Sequence, residues 1–189
     1  MLFTSHLEAC MESLTNLAGR ELLWTPSHTG KRTYALGMDG RTVATLVQPS
    51  MWRQDSVAET TAGRWRFARV GFFRQRYVIA DADTGAEVAQ MSRSDWTRSG
   101  TLTLPDGRQY LWRSGGFWGS KWVWLDTAAR PLIRFKQFGA LRVQCAVTVE
   151  PEAGSDPHHA LLATLGWYLM LLTREDTAAA TAAVIAATH

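Results

Sequence analysis

The residues with the clearest chemical potential lie in one run, Arg64-Trp65-Arg66-Phe67-Ala68-Arg69-Val70-Gly71-Phe72-Phe73-Arg74-Gln75-Arg76-Tyr77, with five arginines and no acid. A guanidinium fork matches the oxygens of a phosphate two at a time. On a strand, Arg64 and Arg66 share one face, and Trp65 and Phe67 share the other. Arg74 and Arg76 share a face of the following segment. A hairpin folded around Gly71 would gather Arg64, Arg66, Arg74 and Arg76 into a ligand-binding site for an anionic headgroup. The competing reading is that alternating arginines solvate the outer face of a strand and hold no ligand. Aromatics interleaved with arginine also bind single-stranded nucleic acid when the rings face solvent. Here Trp65, Phe67 and Tyr77 are expected to face the core, and the net charge is only +3, so nucleic acid is set aside as a partner.

A second feature is Phe117-Trp118, which follows Ser114-Gly115-Gly116. Two large rings after a flexible turn read as a loop tip and a membrane anchor. No pattern for catalysis accompanies these residues. The chain has no G-x-S-x-G elbow, H-E-x-x-H pair, phosphate-binding Walker loop or dinucleotide fingerprint. His158 and His159 are adjacent, so on a helix they point about 100° apart, which suits polar surface residues better than two metal ligands. Asp81 and Asp83 read as turn carboxylates. Cys10 and Cys145 are too few for a zinc site or a disulfide framework and read as buried thiols in a reducing compartment. The expectation is a non-enzymatic protein with no cofactor and no metal.

The 189 residues, 46% apolar and 20% charged, suit one domain rather than a disordered chain or a charged tail. Residues 5–18 predict an amphipathic helix. Ser5 and Glu8 form a capping box, Leu7, Cys10, Met11, Leu14 and Leu17 make an apolar stripe, and Gly19 stands at the stop. From Arg20 to Glu150 the apolar period is two, and turn signals recur, among them Asp39-Gly40, Asp83-Thr84-Gly85, Asp106-Gly107 and Phe138-Gly139. Ile133 and Phe135 alternate with Arg134 and Lys136, and Val143, Cys145, Val147 and Val149 alternate in the next strand. About eleven or twelve strands joined by tight turns, with no helix between them, make an antiparallel meander.

After Glu150 a polar break leads to Asp156, placed to cap a helix, and Pro157. Ala160 to Leu172 is apolar on every face, so as a helix it must be buried on every side. It is shorter than the ~20 residues that cross a bilayer. The Ala/Thr-rich end, 174–189, is expected to fray. A barrel of about twelve strands has a bore that needs a filler, and this helix fits. The fold class read from the sequence is therefore mainly β: a closed antiparallel barrel of about 12 strands around a buried C-terminal hydrophobic helix (about 157–173), preceded by a short N-terminal helix. The segments are 1–19, 20–173 and 174–189. Many of the nine tryptophans, among them Trp112, Trp122, Trp124 and Trp167, would fill that wide core.

A dozen short antiparallel strands followed by one wholly apolar helix, with aromatic strands such as Tyr110-Leu111-Trp112 and Trp122-Val123-Trp124, resembles the tubby C-terminal-like superfamily. That group includes tubby-like proteins, phospholipid scramblases and LURP-one-related proteins. The resemblance covers residues 20–173. It implies a binding module for anionic phospholipid headgroups or a membrane surface through basic strand residues, here Arg64 to Arg76. No acidic loop maps onto a scramblase calcium site. A protein–protein scaffold without a lipid ligand is the alternative. A small-ligand carrier barrel is the third, in which ligand and helix compete for one interior. With no basic, apolar leader at Met1–His6, the expected location is cytoplasmic, peripheral to a membrane.

Overall fold

The computed structural model describes residues 11–27, 32–48, 55–71, 76–94, 99–115, 120–139 and 143–187. The period-two segments form twelve strands: β1 (Glu21–Pro26), β2 (Thr33–Met38), β3 (Arg41–Val47), β4 (Ser56–Thr60), β5 (Gly63–Val70), β6 (Arg76–Asp81), β7 (Glu87–Ser94), β8 (Ser99–Thr103), β9 (Gln109–Ser114), β10 (Lys121–Leu125), β11 (Pro131–Phe138) and β12 (Gln144–Val149). Each pairs antiparallel with its sequence neighbours, and β1 pairs with β12, so the sheet closes into a barrel without an edge. One helix, α1 (His159–Ala187), follows.

The two ends of the barrel differ. At the end where α1 enters, aspartates build the turns. Asp39 (φ 52°) and Gly40 (φ 77°) form the left-handed pair that a two-residue hairpin requires. The Asp81 carboxylate accepts hydrogen bonds from the Asp83 and Thr84 amides and the Thr84 hydroxyl. Those bonds, the Thr84 amide foremost, hold its pKa below the usual carboxylate value. Asp106 accepts from the Arg108 amide, and Asp126 from the Ala128 and Arg130 amides and the Arg130 side chain. Turn chemistry thus concentrates acids here. Two short 3-10 turns, Leu14–Leu17 and Pro151–Ser155, pack together across this end and bury Leu14, Leu17 and Ala153.

Inside, Ala160 to Leu172 of α1 are buried all round. Fully burying one such leucine is worth roughly 1.5–3 kcal/mol, which drives the helix into the bore. Trp167 stacks on Trp24 at 6.0 Å and meets the edge of Tyr34, while Tyr168 packs on Phe67 at 5.3 Å. On the far wall Trp112 contacts Trp122, Trp124 and Phe135. Gly166 lets α1 press against β11: a Cβ there would stand 2.3 Å from Phe135 Cζ. Thr164, the buried polar side chain of the helix interior, returns its hydroxyl to the carbonyls of Ala160 and Leu161.

Three expectations need correction. The 174–189 segment was expected to fray, but α1 continues to Ala187, outside the barrel. Extending an existing helix through alanines costs little, and Thr177 and Thr181 bond back to carbonyls four residues earlier. The N-terminal helix over 5–18 is not seen: residues 1–10 lie outside the described residues, and only Leu14–Leu17 is coiled, as a 3-10 turn. Leu14 and Leu17 still bury themselves, because one turn suffices to plug the barrel end. His159, expected at the surface, is 5% exposed, because the helix start is drawn into the barrel mouth.

Candidate functional site

The β5–β6 hairpin forms as expected, and its register decides what the arginines do. Val70 stands opposite Arg76, and Arg66 opposite Ala80. In an antiparallel hairpin each residue meets its register partner, so residues at unequal distances from the turn stay apart. Arg66 and Arg76 share the outer face but stand four residues apart along it, about 13 Å at the rise of a strand. Arg64 lies further toward the entry end, where it pairs with Asp83 and Glu59. Arg76 donates to Gln90 at 3.3 Å. The three described arginines therefore do not converge on one anion. Arg74, Phe117 and Trp118 lie outside the described residues.

Arg69, the remaining arginine of the run, turns toward the barrel mouth and donates to the Asp176 carboxylate at 3.1 and 3.3 Å. Arg93 donates to the Thr173 hydroxyl at 2.7 Å and lies over the ring of Trp122. Arg32, held at a φ of 62°, bonds Gln48 and Glu175. These three form a collar around α1 where it leaves the barrel.

The outer face of β9–β11 near this exit carries a pair of opposed lysines. Lys121 and Lys136 are directly opposed across β10 and β11. Both are exposed, and no ion pair joins either to an acid among the described residues. Cβ atoms so placed are about 5 Å apart, and like charges on directly opposite residues are destabilising. Arg113 lies one strand over, opposite Val123, on the same face. Phe138, two residues beyond Lys136, is 43% exposed. The exposed large hydrophobics among the described residues are Val47, Val70 and Phe138, all at strand ends of the exit side, and Val184 on the protruding helix. The connection 115–120, which contains Phe117 and Trp118, joins Ser114 to Lys121 and so begins and ends beside this face.

Sequence reading did not single out Lys121 or Lys136. They are fifteen residues apart, and the bulge between Trp124 and Leu125 sets which residues face each other. The signal available was only that each stands outward next to one inward aromatic, Trp122 or Phe135.

Comparison with protein-family models, with curated proteins and with solved structures finds no match. The chain is thus defined by its architecture, a closed twelve-stranded antiparallel barrel threaded by its C-terminal helix. No helix among the described residues is long and apolar enough to cross a membrane.

Proposed function

We propose that the protein is a non-enzymatic module that binds an anionic membrane surface with the exit face of the barrel, Lys121, Lys136 and Arg113 meeting lipid headgroups. The opposed Lys121–Lys136 pair carries this reading. An anion bridging the two would relieve a repulsion that the fold otherwise holds in place. The exposed Phe138 ring offers an apolar contact beside the charges. Most of the described acids, among them Asp39, Asp81, Asp83, Asp106 and Asp126, lie at the opposite, entry end, which orients the molecule toward a negative surface. This reading keeps the lipid-binding function that the tubby-like resemblance implies and moves its centre from Arg64 and Arg66 to β9–β11. It also keeps the cytoplasmic, membrane-peripheral location.

The test is co-sedimentation with neutral, phosphatidylserine and phosphoinositide vesicles at low and physiological salt. Binding to anionic vesicles should weaken with salt. It should fall at least tenfold in Lys121→Glu/Lys136→Glu and stay near wild type in Arg64→Ala/Arg66→Ala. Binding unchanged by the lysine reversal would overturn the assignment of the face. No binding by a folded protein would favour the second reading, a protein–protein scaffold, for which the exposed Val184 on the outer part of α1 is the supporting observation.

A further inference from the structure

At the entry end, far from the lysine pair, a pocket of about 280 Å³ opens beside the start of α1. Its apolar walls include Trp65, Val88, Leu104 and Leu161, and Asp106 and His158 also line it. His158 is not a loose surface side chain. Its amide donates to Asp156 Oδ1 at 2.8 Å. Its ring Nδ1 lies 3.1 Å from the Tyr110 hydroxyl. That hydroxyl is 2.8 Å from both Asp156 oxygens.

The partners of Nδ1 favour one tautomer. The phenol has one proton, and the carboxylate can only accept it. The remaining Nδ1···Oη contact then requires the proton on Nδ1. Arg108 Nη1, which can only donate, also faces Nδ1 but from farther off, at 3.4 Å, whereas two acceptors, the Tyr110 hydroxyl at 3.1 Å and Asp156 Oδ1 at 3.4 Å, favour a proton there. Nδ1–H is thereby tied to Tyr110 and Asp156, and Nε2 keeps its lone pair. His158 makes no hydrogen bond through Nε2 to the described residues, while the ring itself lines the pocket.

We infer that this pocket binds a small, flat, mostly apolar molecule carrying one hydroxyl donor, with Nε2 of His158 accepting the hydroxyl proton and Trp65 flanking the ring. Phenol-like compounds fit that description. The Asp106 carboxylate in the lining, with Asp156 bonded to His158 nearby, disfavours a carboxylate ligand. The apolar lining supplies affinity, and the single acceptor supplies selectivity.

The probes are 4-methylphenol, toluene and benzoate, titrated into isotope-labelled protein and followed by NMR at the Trp65 indole and His158 ring signals. 4-Methylphenol should bind about tenfold more tightly than toluene, the worth of about one hydrogen bond, and benzoate should bind more weakly than either. His158→Leu should retain toluene binding and erase the preference for 4-methylphenol. Val88→Phe, which fills the pocket from its wall, should abolish both. Because Tyr110→Phe keeps the shape and removes the hydroxyl that orders His158, it should reduce the preference without changing toluene binding. Equal affinity for 4-methylphenol and toluene in the wild type would overturn the inference, and so would shifts that persist in a folded Val88→Phe protein. Absence of any shift at Trp65 and His158 with all three probes would do the same.

Discussion

Replacing Gly166 by alanine tests whether the helix is gripped by the barrel. In an exposed helix the change would stabilise, because glycine costs about 1 kcal/mol relative to alanine. Here the new methyl would stand 2.3, 2.8 and 2.9 Å from three carbons of the Phe135 ring. Carbon atoms pack at about 3.5–4.0 Å, so helix and ring must part by more than about 1 Å. Phe135 is 1% exposed and sits edge-on to Trp112 at 5.4 Å, so it has little room to yield. Overpacking of this kind costs typically about 1–3 kcal/mol, and three contacts on an enclosed ring put Gly166→Ala at the upper end. After the gain in helix propensity the net loss is about 2 kcal/mol. For a chain of this size that lowers Tm by about 4–8 °C. Thermal and urea unfolding followed by circular dichroism would measure it. Phe135→Leu should make the second change less costly, so the double variant loses less than the sum of the singles. A rise in Tm for Gly166→Ala would refute the packing argument.

Alkaline pH should destabilise the fold. Burial pushes the Cys145 thiol from 9.0 to about 12 and the Tyr110 phenol from 10.0 to about 12, and it raises Tyr168, Tyr77 and Tyr34 as well. These groups ionise first in the unfolded chain, so stability is full below pH 9 and falls as pH rises toward 12. Cys145 alone accounts for up to about 4 kcal/mol of that fall, and Cys145→Ala should flatten the profile between pH 9 and 12 in urea titrations. The same burial should leave Cys145 unreactive toward a thiol reagent until the protein unfolds. Removing residues 179–189 deletes exposed helix and should change unfolding free energy by less than about 0.5 kcal/mol, since no buried side chain is lost among the described residues.

The barrel was readable because its signals are local. Alternation placed Ile133 and Phe135 inside and Arg134 and Lys136 outside, and Asp39-Gly40 announced its hairpin. The all-apolar stretch from Ala160 had to be buried, and a twelve-stranded bore had room for it. The sites were less readable because they depend on register. The arginine run looked compact in sequence, yet pairing put Arg66 opposite Ala80 and left Arg76 beside the turn. Lys121 and Lys136 meet only because of a bulge, and Tyr110 reaches Asp156 and His158 across more than forty residues. The outer half of α1 has no core-facing pattern. It stays helical because the buried half nucleates it and Arg69 and Arg32 hold its first exposed turn.

The most direct measurement of the proposed role is the environment of a probe at each end of the barrel. An environment-sensitive fluorophore attached at Phe138→Cys, with Cys10→Ser and the buried Cys145 left in place, should shift to the blue on adding phosphatidylserine vesicles. The same label at Asp106→Cys, at the entry end, should not move, and Lys121→Glu/Lys136→Glu should abolish the shift at 138. A silent probe at 138, or equal shifts at both ends, would contradict membrane binding through the exit face.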